Sequence, residues 1–163
     1  MPEIVRGGPE LVDDVRELWL ALRDHQAEVV PDMGPVRDDA DSWDHRRRLY
    51  GRWLADPRAF LLVARAGDGR AVGYALVRPQ GPASTWELPR LPALIETLSV
   101  APDARGDGVG AALIGRIRDE CRREGFDAVL VGTMARNEGA LRFYAREGFE
   151  PEAIMLRDTT YRP

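Results

Sequence analysis

The sequence predicts an α+β, or mixed αβ, domain: one mixed, largely antiparallel sheet with helices on its faces. Three observations carry this. Apolar residues recur at helical spacing early in the chain, at Leu11, Val15, Leu18 and Leu22. In "AFLLVARAGDGRAVGYALVRP" two apolar runs flank Gly67-Asp68-Gly69, a hairpin signal. The second half alternates strand-like and helix-like patterns, as a βαβ unit does.

The elements follow in order. "EIVRGG" is a short strand ending in glycines. Pro9 suits the first turn of a helix, whose apolar face adds Val12 and Trp19 to the four residues above. This helix fades near Val30-Pro31, and a polar loop runs through Asp41. Ser42 is a candidate N-cap for a second helix, with Trp43, Tyr50, Trp53 and Leu54 on its apolar face. Asp56-Pro57 stops it. The hairpin comes next, then the proline-rich "QGPASTWELPRLP". "ALIETLSV" is a strand, and "APDARGDGVG" turns into a long helix running to about Glu124. "FDAVLVGT" is a strand, "NEGALRFYARE" a helix ended by Gly148, and "FEPEAIMLR" a last strand. The order β-α-α-β-β-β-α-β-α-β gives a sheet of about six to seven strands and about four helices.

The chain has 163 residues, of which 44% are hydrophobic. That suffices for one domain with a core that needs no staples. The net charge is -4, without the concentrated basic face that nucleic acid requires, so no nucleic-acid partner is expected. No apolar run reaches 18 residues, so no membrane partner is expected either. "MPEIVRGGPE" lacks the apolar stretch of a secretion signal, and a cytoplasmic setting is the expectation. The single cysteine, Cys121, leaves no internal disulfide and no cysteine-based metal site. It follows Leu113 and Ile117 at i+4 spacing, which reads as core packing. His25 and His45 lack partners at ligand spacing, so no metal is expected. Asp32, Asp38, Asp39, Asp41 and Asp44 gather in one segment. They read either as a solvated loop or as an acidic rim that attracts a cationic substrate. Arg46-Arg47-Arg48 reads as a solvated helix face. A monomer or homodimer is expected.

The chemistry concentrates in "ARGDGVGAAL", residues 104 to 113. Arg105-Gly106-Asp107 spells an adhesion tripeptide, but three residues recur by chance and no secretion signal accompanies them. Gly106, Gly108 and Ala111 satisfy a dinucleotide fingerprint. That fingerprint wants an acid at the end of the following strand, where Gly132 and Thr133 stand instead. Too little chain remains for two nucleotide-binding halves. No Gly-Lys-Ser/Thr follows, which excludes a Walker loop. A third reading needs only local physics. Backbone N–H groups at a helix N-terminus cradle anions. Gly106, Gly108 and Gly110 let the backbone take positive φ and approach phosphates, and Arg105 adds charge. The bland alternative is a glycine-rich turn without a ligand.

"LIETLSVAPDARGDGVGAALI" and "NEGALRFYAREGF" together resemble the GNAT superfamily of N-acetyltransferases. The former is similar to its acetyl-CoA motif: a strand, a V-x-P turn, R-x-x-G-x-G, then a helix. The latter is similar to its N-x-x-A-x-x-x-Y-x-x-x-G-F segment, carried by Asn137, Ala140, Tyr144, Gly148 and Phe149. The resemblance covers roughly residues 93 to 149. It implies a single acetyltransferase domain over residues 1–163. Residues 1–92 would supply acceptor-site elements, 93–149 the acetyl-CoA core and 150–163 a C-terminal strand. It also implies two parallel strands splayed apart to hold acetyl-CoA, the co-substrate. Backbone groups of Leu98, Ser99 and Val100 would bond its pantetheine. Arg105, Gly106, Asp107, Gly108, Val109, Gly110 and Ala111 would hold its pyrophosphate. Asn137, Ala140 and Tyr144 would lie beside its arm. The acceptor would meet roughly Val29 to Ser42 and Gln80 to Pro92, where Trp86 either lines the pocket or caps the core.

Acetyl transfer to an amine needs a base, because an alkyl ammonium near pKa ~10 is protonated at neutral pH. Glu96 is the candidate, a lone acid in an apolar strand. Its alternative is a strand-edge glutamate facing water. Alternation puts Glu96 and Leu98 on one face, and Ile95, Thr97 and Ser99 on the other. Tyr144 is the candidate acid for the departing thiolate, since a phenol can donate a proton. Its alternative is packing. Asp107 departs from the basic or neutral residue many relatives carry there. The expected function is N-acetylation of a primary amine, on a small molecule or peptide and on a cationic one if the acidic segment acts as a rim. The other reading is a non-catalytic acyl-CoA-binding or sensing module.

Overall fold

A computed structural model of the chain describes residues 2–81, 91–158 and 160. The strands are β1 (Glu3–Gly7), β2 (Phe60–Arg65), β3 (Ala71–Pro79), β4 (Pro92–Val100) and β5 (Ala128–Val131). The helices are α1 (Arg16–Val29), α2 (Asp39–Trp53), α3 (Val109–Arg123) and α4 (Glu138–Arg146). The sheet runs β1-β2-β3-β4-β5. Its first three pairings are antiparallel, and β4 with β5 is parallel.

The chain dictates this order. At the β2–β3 hairpin, Gly69 takes φ +85° and its N–H bonds the Ala66 carbonyl at 2.9 Å. A parallel pair needs a long crossover, and α3 supplies it between β4 and β5. β2 and β3 read as continuous apolar runs because both faces are covered. α1 lies on one face, where the Leu18 carbonyl accepts from Ser99 Oγ at 3.1 Å. α3 lies close to β3: a Cβ on Gly73 would sit 2.9 Å from Val109 Cγ1 and 3.2 Å from Leu113 Cδ1. Glycine is what lets helix and strand approach there.

α2 is fastened by three buried hydroxyls. Tyr50 donates to Thr97 Oγ1 at 2.9 Å, and its oxygen is 2.9 Å from the Tyr74 hydroxyl. Since the Tyr50 proton goes to Thr97, Tyr74 is the donor in the second bond. Burial raises both phenols above their ordinary values. Tyr50→Phe should therefore destabilise the fold by about 1–3 kcal/mol, because it strands two buried hydroxyls. Urea unfolding would measure this, and a loss under about 0.5 kcal/mol would contradict it.

Four details correct the sequence reading. Pro9 opens a short 3-10 helix, Pro9–Val15, before α1 begins. α2 starts earlier than Ser42, because Asp38 is the cap and accepts from the Asp41 N–H at 2.8 Å. Five strands, not six or seven, form the sheet among the described residues. The missing one is the C-terminal strand expected over 149–157, within the 150–163 portion. Ile154, Met155 and Leu156 are 82%, 97% and 88% exposed and pair with no strand. β-propensity records fit to a half-buried surface, and this segment has no such surface. Instead, Arg157 reaches Met33 Sδ at 3.7 Å and Asp32 at 3.8 Å.

Candidate active site

A cleft opens where β4 and β5 part. They pair from Pro92–Ala128 to Ile95–Val131. β5 then ends, while β4 continues to Val100. β4 also bulges there against β3: Leu76 opposes Thr97 and Val77 opposes Ile95, leaving Glu96 as the extra residue. Bulges re-aim side chains and end pairing. The cleft is lined by Leu22 and Gln26 of α1, Ile95 to Leu98 of β4, Val131 at the end of β5 with Gly132 to Met134 after it, and Asn137, Ala140 and Tyr144. Five of the fourteen expected site residues, Glu96, Leu98, Asn137, Ala140 and Tyr144, thus converge, while Ser99, Val100 and the loop Arg105 to Ala111 stand outside this lining.

The alternation along β4 holds in its burial, with Ile95, Thr97 and Ser99 buried and Glu96, Leu98 and Val100 partly open. Ser99 turns its side chain away to α1. Glu96 is not an edge residue open to water, since its side chain is 17% exposed. Its Oε1 accepts from Arg78 Nη2 at 2.8 Å and Nε at 3.2 Å. The Arg78 guanidinium lies 5.5 Å from the Trp53 ring centroid. Arg78 was not among the residues expected from sequence. The one signal was a lone charge closing the apolar run "YALV", and only the register shows that it meets Glu96.

Tyr144 packs against Phe143 and Phe149, with ring centroids 5.2 and 5.5 Å away. Burial pushes its phenol up to about 12, so at neutral pH it keeps its proton. Asn137 lines the cleft and also caps α4, its Oδ1 accepting from the Ala140 N–H at 3.0 Å. Burial and the neighbouring Glu120 and Glu124 push the Cys121 thiol up to about 11, and it lies outside this cleft. A thiol held that high is a poor nucleophile.

The glycine loop stands at the far end of β4. Gly106 and Gly108 take φ +93° and +79°, and Gly108 precedes α3 as its N-cap. The first intrahelical bond runs from the Ala112 N–H to the Gly108 carbonyl at 2.9 Å. The N–H groups of Val109, Gly110 and Ala111 precede it and are the orphan donors of a helix start. Gly110 lets α4 come near: a Cβ there would lie 3.0 Å from the Phe143 ring. Arg105 is tied back by an Nε bond to the Val100 carbonyl at 3.4 Å. These features suit a phosphate group. Asp107 is exposed. Asp107→Lys should keep acetyl-CoA affinity equal or better, by calorimetry. A large loss would show that the carboxylate holds the loop.

Three of the five acids of the segment are bonded to arginines, and Asp44 is exposed without one among the described residues. Asp32 accepts from Arg136 at 2.8 Å, Asp39 from Arg23 at 2.7 Å and Asp41 from Arg37 at 2.8 Å, while Asp38 is the α2 cap. Three of the five acids of the expected rim are thus offset by arginine. Trp86 and most of the loop from Gln80 to Pro92 lie outside the described residues. Among the described residues no cluster of metal-ligating side chains occurs, and no helix is long and apolar enough to cross a membrane.

Comparison with known proteins agrees with this geometry. A mycothiol acetyltransferase of Clavibacter sepedonicus is 31% identical over 163 residues, covering 99% of this chain and 47% of that protein. Another, from Clavibacter michiganensis, is 32% identical over 145 residues, 88% of this chain and 41% of that one. The chain thus spans less than half the length of these relatives. Among solved structures, a tetramutant of the BH1408 protein from Bacillus halodurans superposes with a TM-score of 0.80 at 16% identity, covering 95% of this chain and 97% of that one. A GCN5-related N-acetyltransferase from Ralstonia eutropha gives 0.73 at 22% identity, covering 99% and 100%. These two show the shared fold. The sequence model described as the Acetyltransferase (GNAT) family matches residues 19–149. That span contains the cleft, the bulge and the glycine loop, and the chain belongs to the Acetyltransferase (GNAT) family.

Proposed function

We propose that this domain transfers an acetyl group directly from acetyl-CoA to a primary amine. The observation that carries the reading is the parting of β4 from β5 at the Glu96 bulge. It opens one cleft to Glu96, Tyr144 and Asn137. The Arg105–Ala111 loop would hold the pyrophosphate by backbone N–H groups, and the backbone edge of Leu98 to Val100 that faces away from β3, beyond the end of the β5 pairing, would bond pantetheine. Acetyl-CoA supplies the thioester.

The protein's part is protons and position. Glu96, directly or through a water, takes the proton that an ammonium must lose before it can attack. The amine nitrogen then bonds the acetyl carbon as the carbon–sulfur bond breaks. The sulfur leaves with the electron pair, and Tyr144 donates the proton it needs. The second amine proton passes to solvent, Glu96 gives up the proton it took and Tyr144 regains one, so both return to their starting forms and one proton is released per turnover. Cys121, with its thiol held high, supports a route with no acyl-enzyme.

Two-substrate kinetics test this. Initial rates with acetyl-CoA and an amine should give intersecting lines in double-reciprocal plots, with no acetylated protein by intact mass. Parallel lines with an acetylated protein would contradict direct transfer.

A further inference from the structure

We infer that the acceptor carries a carboxylate beside its amine, held by Arg46 and Arg78 while the amine lies at Glu96. This rests on the acetyl-transfer reading above and names the class of its acceptor. Next to Glu96, beyond the residues that line the cleft, two guanidinium groups gather around Trp53. Arg78 of β3 gives two bonds to Glu96 Oε1, and its Nη1 bonds the Pro79 carbonyl at 3.0 Å. Arg46 of α2 comes to the same indole from another element: its guanidinium is 5.9 Å from the Trp53 ring centroid and 3.8 Å from that of Trp19.

Arg46 differs from its neighbours. Arg47 is bonded to Asp13 at 2.7 Å, and Arg23 to Asp39 at 2.7 Å. Arg46 is half-buried, and among the described residues it has aromatic rings around it and no bonded acid. The cluster therefore holds two guanidinium groups and one bonded carboxylate, Glu96. A guanidinium stacked on an indole keeps its N–H edge for a planar bidentate partner. A carboxylate matches that edge in shape and charge, and these are the stronger hydrogen bonds. It would also compete with Glu96 for Arg78, so that an acceptor of the right class releases Glu96 to take the amine proton. A polycation would meet two like charges instead.

The test is a set of matched amines, namely glycine, β-alanine, γ-aminobutyrate and phenylalanine, each against its own carboxamide. Thiol release from acetyl-CoA is followed. The acid of at least one pair should show kcat/KM at least about tenfold above its amide, the scale of one charged hydrogen bond. Arg46→Gln should bring that ratio towards one, chiefly through KM, and Arg46→Lys should restore part of it. The ratio is taken within each variant, so a general loss of folding cancels. Arg47→Gln, one residue along and bonded to Asp13, should keep the wild-type ratio. Amides turned over as well as acids, or a ratio untouched by Arg46→Gln, would overturn the inference and leave acetyl transfer standing. No thiol release with any amine would overturn both.

Discussion

Replacing Glu96 by glutamine should lower kcat by about 100- to 10,000-fold, the range of a positioned general base. KM for acetyl-CoA should stay near wild type. Glutamine keeps the size of the side chain and an oxygen for Arg78, so the ion pair becomes a hydrogen bond and the bulge keeps its shape. Proton acceptance is what is removed. The bulge matters here because it makes Glu96 an extra residue on β4, set where β5 has stopped pairing. An unchanged kcat would mean that water or the acceptor itself handles the proton, and that the Glu96–Arg78 pair at 2.8 Å is structural.

Tyr144→Phe should lower kcat by about 100-fold or more. The ring contacts with Phe143 and Phe149 are kept, so stability should change little. The pH dependence adds a second readout. An ordinary phenol would begin to ionise near pH ~10. Burial holds this one up to about 12, so the donor stays protonated below that. The wild-type kcat should therefore show no descending limb from Tyr144 between about pH 8 and about pH 10. The same raised value implies stability that is present below the ordinary phenol pKa and lost as pH climbs through about 12. A wild-type profile falling near pH ~9, with the fall absent in Tyr144→Phe, would contradict the assignment.

The parts legible from sequence are those set by local rules. The βα turn with Gly106, Gly108 and Gly110 was legible because positive φ at a helix start leaves few residue choices, and two of the three do take it. The Asn137 to Phe149 pattern was legible because cap, ring positions and C-terminal glycine sit on one short helix. What stayed hidden depends on pairing between distant segments. Arg78 meets Glu96 only through the β3–β4 register with its one-residue shift, which no local pattern encodes. The cap of α2 passed from Ser42 to Asp38 because several residues of "RDDADS" could cap, and the Asp38 side chain is the one that does. The expected C-terminal strand was apolar enough, but 149–157 pair with no strand although β5 is an edge of the sheet. The acidic segment showed the opposite limit: composition reported the charges, and only the fold showed the arginines bonded to Asp32, Asp39 and Asp41.

The central claim is tested most directly by one reaction: purified protein, acetyl-CoA and the amine panel, with free CoA thiol and acetylated amine counted in the same samples. Thiol and acetylated amine should rise together, one for one, and both should collapse in Glu96→Gln and Tyr144→Phe. Tight acetyl-CoA binding with no acetylated amine from any member of the panel would contradict the account and point to an acyl-CoA-binding module instead.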